Sequence, residues 1–359
     1  MRKPTLHDVA AAAGVSYATA DRVLNSRGGV AQKSKDRVRT AIAELGYQRD
    51  ITAANLSRRR QYKFAFLLPV AGEGFFSALR DVLTRDLTAR TQARQQITII
   101  DLPAFDPSAL VRALDQCALG KYDGVCLVAV EDRAVESALI RLRAQGVAIV
   151  TLVADSAPTT RDAYVGIDNH TAGRTAGDLM VLAHRGGLAN LQGQILTITG
   201  SLSARDHADR YAGFCDVVSG NLQVLPSLET GDDPVFLEQE LRRVLIDNPD
   251  ITGIYNLGAG IPGLVAALAT SNMQSRAEVN RPVVISHELC AATRAAVEQG
   301  LIDAVIDQKP AQEISGALTT LVALSDGLPI DASAGQIIPA VHFKHNMPPQ
   351  PADGPEEGA

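Results

Sequence analysis

The stretch that decides the interpretation of this chain lies at its start: Thr5-Leu-His-Asp-Val-Ala-Ala-Ala-Ala-Gly-Val-Ser-Tyr-Ala-Thr-Ala-Asp-Arg-Val-Leu-Asn25. It predicts two short helices joined by a tight turn, the layout of a helix-turn-helix unit. The opening threonine can cap the first helix with Asp8 as its capping-box partner, and Gly14 can end that helix in the left-handed conformation. Ser16 can cap the second helix. A third amphipathic helix is predicted over residues 32–45, which completes a small three-helix unit.

The charge of the chain is divided unevenly. Residues 1–63 contain 13 Lys and Arg against 5 Asp and Glu, a formal charge of +8. The whole chain carries −6, so the remaining residues carry −14. A basic head on an acidic body is expected where only the head meets phosphates. The three-helix unit is therefore predicted to bind DNA, and the alternative is a solvated helical domain that binds protein.

At 359 residues, of which 46% are hydrophobic, the chain is long enough for two or three domains. It has no apolar run of about 18 residues, so we expect no membrane span, and its start lacks the apolar stretch of a secretory signal peptide. Scattered cysteines without a CxxC pair predict reduced thiols and the cytoplasm: Cys117, Cys126, Cys215 and Cys290. No metal-ligand or nucleophile motif is present, so we expect no metal, no cofactor and no enzymatic activity.

From Lys63 onward, strands alternate with helices. Five strand candidates lie between residues 64 and 167 and five between 194 and 306, one of them over 223–228. Helical patterns separate them, including Ala78–Thr91 and Arg210–Ser219. This alternation predicts parallel sheets covered on both faces. Two successive series predict two similar lobes with a cleft between them, and ligands in such folds sit at the carboxyl ends of the strands.

Several motifs occur in a fixed order. The head contains Thr5-Leu-x-Asp-Val-Ala-x-x-Ala-Gly-Val-Ser16, Arg22-Val-Leu-Asn25 and Ala43-Glu-Leu-Gly-Tyr47. The body contains Gly74-Phe-Phe76, Val165-Gly-Ile-Asp-Asn169, Ala172-Gly-x-x-Ala176 and Arg210-Tyr-Ala-Gly-Phe214. Over residues 4–345 the chain resembles the lactose–galactose repressor family of bacterial transcription regulators, whose body is similar to periplasmic sugar-binding proteins. Each body motif is weak alone, and the head is the specific part of the resemblance.

The resemblance implies an α/β protein with a small all-α helix-turn-helix head and hinge helix, followed by a two-lobed, doubly wound parallel-sheet core of the type I periplasmic-binding-protein kind. The expected domains are a DNA-binding domain at 1–47, a hinge with a short helix at 48–62, and an effector-binding and dimerisation domain at 63–345. Within the third domain we expect an N-lobe at 63–168 and 309–336 and a C-lobe at 169–308 and 337–345. A disordered tail is expected at 346–359.

A homodimer on a palindromic operator of double-stranded DNA is also implied. Tyr17, Ala18 and Arg22 on the second helix would face base edges, where Arg can read guanine. Leu56 would be the hinge-helix wedge that opens a central base step from the minor groove. Seven further residues are predicted to contact DNA. They lie near phosphates, at helix caps or in the hinge: Thr5, Ser16, Thr19, Asn25, Val30, Ser34 and Ala53.

Three positions depart from the family pattern. Ala18 offers only apolar contact, Asp21 brings a carboxylate near phosphate, and Ala31 stands where a capping serine is common. Asp21 fits a specificity role and an intramolecular pairing with an Arg about equally well. The operator sequence therefore does not follow from the chain.

Family members bind a small molecule between the lobes, most often a sugar or a sugar derivative. Phe75 and Phe76 follow the first strand, and we expect one ring to meet the ligand and the other to join the core. Polar side chains at or after strand ends can bond hydroxyl groups. They are Asp155, Asp168, Arg205, Asn256, Glu288 and Gln308, with Arg210 as a further candidate. This mixture predicts a polyhydroxylated effector.

The leading hypothesis is thus a repressor controlled by a sugar, a polyol or a sugar derivative. One alternative stays within the same fold: a corepressor-dependent regulator that answers to a non-sugar ligand. A solute-binding protein is a second hypothesis, against which the basic head and the missing signal peptide argue. A nucleotide-cofactor enzyme is the third, because Gly258-Ala-Gly-Ile-Pro-Gly263 is a GxGxxG after a strand; the motif lies late in the chain and contains Pro262.

Overall fold

A computed structural model of the chain describes residues 4–24, 29–45, 60–70, 74–85, 90, 93–185, 193–258, 260–270, 281–330 and 335–349. The chain divides into two compact units, Met1–Arg60 and Gln61–Ala359. The division falls inside the linker expected at 48–62. Of the helices that the structure describes, none has both the length and the apolarity needed to span a bilayer.

The first unit contains three helices, α1 (Leu6–Ala12), α2 (Tyr17–Leu24) and α3 (Gln32–Leu45). The predicted caps are confirmed. The Thr5 hydroxyl accepts from the Asp8 amide and the Asp8 carboxylate accepts from the Thr5 amide, which forms a capping box. Gly14 follows α1 with φ +58°, and the Ser16 hydroxyl accepts from the Thr19 amide at 3.1 Å. The three helices bury a small apolar core: Val9, Ala10, Ala13, Ala20, Val38 and Ala41.

The second unit begins with an N-lobe. Its elements in chain order are β1 (Tyr62–Pro69), α4 (Phe75–Arg85), β2 (Gln95–Leu102), α5 (Pro107–Gly120), β3 (Gly124–Leu127), α6 (Arg133–Ala144), β4 (Ala148–Leu152) and β5 (Ala163–Ile167). All the pairs are parallel, in the order β5-β4-β3-β1-β2. Successive residues of β1 enter two different apolar clusters, with Phe64 and Phe66 in one and Ala65 and Leu67 in the other. The sheet is therefore covered on both faces, as the near-continuous apolar strands predict.

The C-lobe follows with α7 (Asn169–His184), β6 (Gln194–Thr199), α8 (Arg205–Val218), β7 (Gln223–Val224), β8 (Leu228–Glu229), α9 (Pro234–Asp247), β9 (Ile251–Asn256), α10 (Ile261–Thr270), β10 (Val283–His287), α11 (Ala291–Glu298) and β11 (Ala304–Asp307). Its parallel strands take the order β11-β10-β9-β6-β7, and β8 also pairs with β6. The chain then forms α12 (Pro310–Ser325), β12 (Gln336–Ile337) and β13 (Ala340–His342).

The chain passes between the lobes three times. It first crosses between β5 and α7, and it returns after β11 so that α12 packs on the N-lobe core and β12 pairs with β5. It crosses again after β12, and β13 pairs antiparallel with β11 of the C-lobe. The C-lobe was expected to resume at residue 337, but Ile337 still pairs with Ile167 of β5 and packs on the N-lobe core.

Four predicted boundaries were wrong. The strand expected over 223–228 is two short strands, β7 and β8, separated by residues 225–227. The helices expected from Ala78 and Arg210 begin at Phe75 and Arg205. The tail expected to be disordered from 346 contacts the C-lobe over its first residues: Met347 packs on the core and the Pro348 carbonyl accepts from Arg294 at 2.7 Å.

One close helix contact organises the C-lobe. A Cβ added at Gly173 of α7 would lie 2.0 Å from the Arg210 carbonyl oxygen, and one added at Gly213 of α8 would lie 2.0 Å from the His170 carbonyl oxygen. Only glycine permits backbones to approach so closely. The two glycine motifs of the sequence therefore bring α7 and α8 into backbone contact, and this contact places Asn169 beside Arg210.

Candidate functional site

A cavity of about 400 Å³ lies between the two lobes of the second unit. Its lining residues come from the segments that follow the strands of both sheets, at their carboxyl ends. Doubly wound folds bind ligands at this edge. The volume lies within the range of about 300–1,000 Å³ typical of small-molecule sites.

The N-lobe wall of the cavity is apolar. Phe75 and Phe76 at the start of α4 both line it, with ring centroids 5.8 Å apart in an edge-to-face arrangement. Both rings also pack on the N-lobe core, so the expected division into one core ring and one ligand ring was wrong. Phe105 follows β2 with φ +56°, and its ring centroid lies 6.3 Å from that of His207 in the C-lobe. This aromatic side chain was not predicted, because it lies in a loop outside any quoted motif.

Arg210 is the largest fully buried side chain of the opposite wall, with 1% of its surface exposed. Its Nε donates to Asn169 Oδ1 at 2.8 Å and its Nη1 donates to the Leu257 carbonyl at 2.6 Å. Nη1 also lies 3.8 Å from Glu288 Oε1. Nη2 is buried with no hydrogen-bond partner among the described residues. The guanidinium is thus fixed by three elements and retains one unused donor group at the cavity.

Glu288 and Gln308 follow β10 and β11 and meet beside Arg210. The Gln308 amide donates to Glu288 Oε1, while Glu288 Oε2 and Gln308 Oε1 are buried without a partner in the described part of the chain. Burial raises the pKa of Glu288 to about 8, against the opposing effect of Arg210. A carboxyl with such a pKa is mostly protonated at neutral pH, so it can donate as well as accept.

A second polar group on the same wall contains Asp206, His207 and Asp232. His207 Nε2 lies 3.9 Å from Asp206 Oδ2, and the His207 ring receives a long contact of 3.5 Å from the Ser201 amide. Asp232 has φ +62° and a buried Oδ1 with no partner among the described residues. Burial raises its pKa, His207 lowers it and Asp206 raises it further. Asp206 and His207 were not among the predicted effector residues, and Asp232 carried no sequence signal.

Four of the predicted effector residues do not line the cavity. Asp155 accepts from Thr151 Oγ1 at 2.7 Å and from Arg161 Nη2 at 2.6 Å. Asp168 caps α7 by accepting from the Thr171 amide. Arg205 pairs with Glu131 across the lobes at 3.3 Å, and Asn256 Oδ1 accepts from the Gly258 amide at 3.0 Å. The other four predicted effector residues line the cavity: Phe75, Phe76, Glu288 and Gln308.

The glycine-rich loop at 258–263 contributes backbone to the cavity. Gly258 has φ +123° and Gly260 has φ +53°, and both line the site. A Cβ at Gly258 would lie 3.1 Å from Arg210 Nη1, and one at Gly263 would lie 2.0 Å from the Pro234 carbonyl oxygen. The spacing of the glycines is thus accounted for by close packing around Arg210 and between α9 and α10.

The helical unit exposes the residues that sequence analysis assigned to DNA. Tyr17, Ala18 and Arg22 are exposed on α2, and the Tyr17 ring lies 4.5 Å from that of His7. Ser16 caps α2, and its hydroxyl lies 2.9 Å from Thr19 Oγ1. Val30 and Ser34 are half-buried at the start of α3. Three further predicted residues lie outside the described residues: Asn25, Ala53 and Leu56.

No group of three or more His, Cys, Asp or Glu side chains in the described ranges could hold a metal ion. The four cysteines are free, with Cys117 and Cys126 buried and Cys215 and Cys290 half-buried.

Family models match the chain in two places. Residues 5–50 match bacterial regulatory proteins of the lacI family, and residues 64–329 match a periplasmic binding protein domain. The chain belongs to the lacI family of bacterial regulatory proteins. The predicted family and fold class are confirmed, while the expected hinge helix falls on residues outside the described ranges.

Two relatives of this lacI-family protein are the HTH-type transcriptional regulator DegA of Bacillus subtilis and the maltose regulon regulatory protein MalI of Escherichia coli. DegA is 25% identical over 59% of this chain and 60% of its own, and MalI is 27% identical over 60% of this chain and 59% of its own. The chain therefore covers less than two thirds of either relative. Among solved structures, the glucose-galactose binding protein GanP of Geobacillus stearothermophilus superposes with a TM-score of 0.69 and 19% identity, covering 80% of this chain and 99% of its own. This likeness shows the fold of the body.

Proposed function

We propose that this lacI-family protein is a transcription regulator, a repressor, that binds a palindromic operator as a homodimer and is controlled by a small sugar, polyol or sugar-derivative effector. It works on double-stranded DNA in the cytoplasm and catalyses no reaction. The observation that carries the proposal is the pairing of two features in one chain: a basic helix-turn-helix unit with an exposed second helix, and a body with a cavity between two lobes.

The helical unit supports DNA binding through its surface. Tyr17 and Arg22 are exposed on α2 while the opposite face of the helix, through Ala20, enters the core. A recognition helix needs this division, because its outward face must reach base edges. Arg can read guanine bidentately and Ala18 can contact a thymine methyl group.

The cavity supports a hydroxylated effector. Its polar wall includes side chains with unpaired donors and acceptors, among them Arg210 Nη2, Glu288 Oε2 and Gln308 Oε1. Buried polar atoms normally have partners, and hydroxyl groups can both donate to and accept from such atoms. The names of MalI and of a glucose-galactose binding protein among the similar proteins agree with a sugar.

Coupling between the two functions requires that the effector prefer one arrangement of the lobes. The cavity is lined from both lobes, so a ligand that contacts both walls favours the arrangement in which they face each other. This change would act on the segment at 53–56, which sequence analysis assigns to the hinge. An inducer weakens operator binding through this coupling, and a corepressor strengthens it.

The test begins with operator selection from a randomised duplex pool, followed by fluorescence anisotropy with the full chain. We expect a palindromic consensus and one dimer per site. Arg22→Ala should weaken specific binding at least tenfold, since a good bidentate Arg–guanine contact contributes about 1–3 kcal/mol. Arg112→Ala, an exposed Arg on α5 of the body, is the matched control and should leave affinity unchanged. Absence of any selected sequence, or equal losses in both variants, would contradict the proposal.

The effector is sought by a thermal-shift screen with sugars, polyols, sugar acids and sugar phosphates, because a ligand stabilises the state it binds. A hit is then added to the operator assay, where a change of affinity in either direction supports the proposal and fixes its sign. Leu56→Ala should weaken operator binding and leave ligand affinity intact. An equal fall in ligand affinity would contradict the assignment of Leu56 to the hinge.

A further inference from the structure

One aromatic contact joins the first two helices of the helical unit. His7 lies in the first turn of α1, and its ring centroid is 4.5 Å from that of Tyr17, the first residue of α2, with 31° between the ring planes. Aromatic pairs attract at this separation. His7 is not among the residues that the sequence predicted to face DNA. Both side chains are exposed, Tyr17 by 48%, so the contact lies on the surface of the unit and outside its core.

The backbones on both sides of this contact are fixed. α1 begins at the capping box of Thr5, and α2 begins at the cap formed by Ser16. Val9 of α1 and Ala20 of α2 are fully buried and anchor the two helices in the small core. The two rings therefore extend from positions that do not shift relative to each other.

The contact restricts a side chain that would otherwise be free to rotate. A helical side chain points back toward the N-terminus of its helix, so the Tyr17 ring on the first turn of α2 extends toward α1. An exposed tyrosine that must be immobilised on binding costs free energy through its lost rotamers. A ring that already packs against Tyr17 in the free protein reduces this cost, because fewer conformers remain for the DNA to select.

Resting on the proposed operator binding, we propose that His7 is a positioning residue for DNA recognition, whose ring holds the Tyr17 ring in the orientation that meets the operator. His7 acts through Tyr17 and makes no specific bond of its own to DNA. This role requires a flat ring, whereas a direct hydrogen bond to DNA would require the imidazole nitrogens. The two roles therefore respond differently to substitution.

Fluorescence anisotropy with the full chain and its selected operator compares three substitutions of His7. His7→Ala removes the ring and should weaken operator binding about tenfold, because each half-site then has to order a tyrosine side chain. His7→Phe keeps a flat ring without nitrogens and should bind within about twofold of the parent. His7→Gln keeps an N–H donor without a ring and should resemble His7→Ala. His345→Ala, at an exposed histidine of the body, is the control and should bind like the parent.

Specificity separates a positioning role from a general loss of structure. Binding to a scrambled duplex should change by less than about twofold in every variant, because phosphate contacts carry it. Operator selection with His7→Ala should relax the same base pairs as selection with Tyr17→Ala, and no others. In a Tyr17→Ala background, His7→Ala should cause no further loss of operator affinity, since the ring that it positions is absent.

Four outcomes overturn the proposal. Affinity is restored by His7→Gln and not by His7→Phe, which would show a direct bond to DNA; the losses of His7→Ala and Tyr17→Ala add; the two selections do not relax the same base pairs; or affinity for the operator and for the scrambled duplex falls equally. Each of these outcomes is measured with an operator that the parent binds, so the regulator proposal stands and this inference alone fails. A parent chain that selects no operator would remove the regulator proposal together with the inference.

Discussion

The two walls of the cavity are built from the same kind of unit, a parallel strand followed by a loop and a helix, yet they hold their side chains in different ways. The N-lobe wall consists of apolar residues that also pack on the lobe's own core, such as Phe75 and Phe76. The C-lobe wall consists of buried polar residues that hold one another, with Arg210 bonded to Asn169 and Leu257 and close to Glu288. The N-lobe wall is held by packing on the core, and the C-lobe wall is held by contacts among its buried polar side chains.

This difference predicts different responses to change. An apolar wall loses area in proportion to what is removed, because dispersion and hydrophobic contributions are spread over many contacts. A buried network fails more abruptly, because the loss of one member leaves the others unpaired in a medium of low dielectric constant. The following substitutions test this contrast.

The largest effect is expected for Arg210→Met. The substitution keeps an unbranched side chain of comparable length, leaves Asn169 Oδ1 and the Leu257 carbonyl without their donor, and removes the guanidinium that lies 3.8 Å from Glu288. Leaving a buried acceptor without its donor costs about 1–3 kcal/mol of the free energy of unfolding for each acceptor. Urea unfolding followed by circular dichroism measures it, with Arg112→Met as the exposed control. A loss below about 1 kcal/mol would show that the network does not stabilise the C-lobe.

Gly213→Ala should act on the same wall through the backbone. Its Cβ would lie 2.0 Å from the His170 carbonyl oxygen, so α7 and α8 must separate. Overpacking at a close contact costs about 1–3 kcal/mol of unfolding free energy. Ala212→Ser on the exposed face of α8 is the control, and the same urea titration applies. If the two variants were equally stable, backbone contact between these helices would not be what positions Arg210.

A pH-dependent effect is expected from Glu288. Its pKa is raised to about 8 in the folded chain by burial, against an ordinary value of 4.5. The folded state therefore binds more protons than the unfolded state between these values, so this group stabilises the protein below pH 4.5 and that stability is lost as the pH rises through 8. The slope reaches at most about 1.4 kcal/mol per pH unit. The difference in unfolding free energy between Glu288→Gln and the parent should grow in favour of the variant from pH 5 to pH 8, and a constant difference would contradict it.

The smallest effect is expected for the ion pair of Arg205 and Glu131, which joins the two lobes outside the cavity lining. Both side chains are partly exposed, 39% and 59%, so solvent screens the pair. A double-mutant cycle with Arg205→Gln and Glu131→Gln should give a coupling of about 0–1 kcal/mol that disappears in high salt. A coupling that survives 1 M salt would mean that this contact holds the lobes together more firmly than its exposure implies.

Much of the fold followed from the sequence because its signals are local. The capping box of Thr5 and Asp8, the left-handed Gly14 and the apolar strands need only neighbouring residues to be recognised. The start of α8 was missed because local signals are absent there. Its first turn, Arg205-Asp-His-Ala-Asp209, has no apolar periodicity, and its N-cap Ala204 makes no side-chain bond. The error hid Asp206 and His207 from the predicted site.

The predicted site was incomplete because a position at a strand end does not determine the direction in which a polar side chain points. Asp168 and Glu288 both follow strands, but the first caps a helix and the second is buried at the cavity. Local sequence cannot separate these cases, since both use the same carboxylate. Arg210 was ranked behind Arg205 because a salt bridge at the start of a helix would also explain an Arg at that position. Its burial depends on Gly173 and Gly213, which lie 40 positions apart and act only when the helices meet.

The last crossing between the lobes has a consequence for the gene as well as for the fold. Only residues 338 and 339 separate β12, an edge of the N-lobe sheet, from β13, an edge of the C-lobe sheet. A premature stop codon shortly before residue 336 would therefore remove an edge strand from both lobes at once, although residues 336–359 are less than a tenth of the 359 residues. We expect nonsense mutations there to abolish the protein, and neither lobe can be cloned as one uninterrupted reading frame.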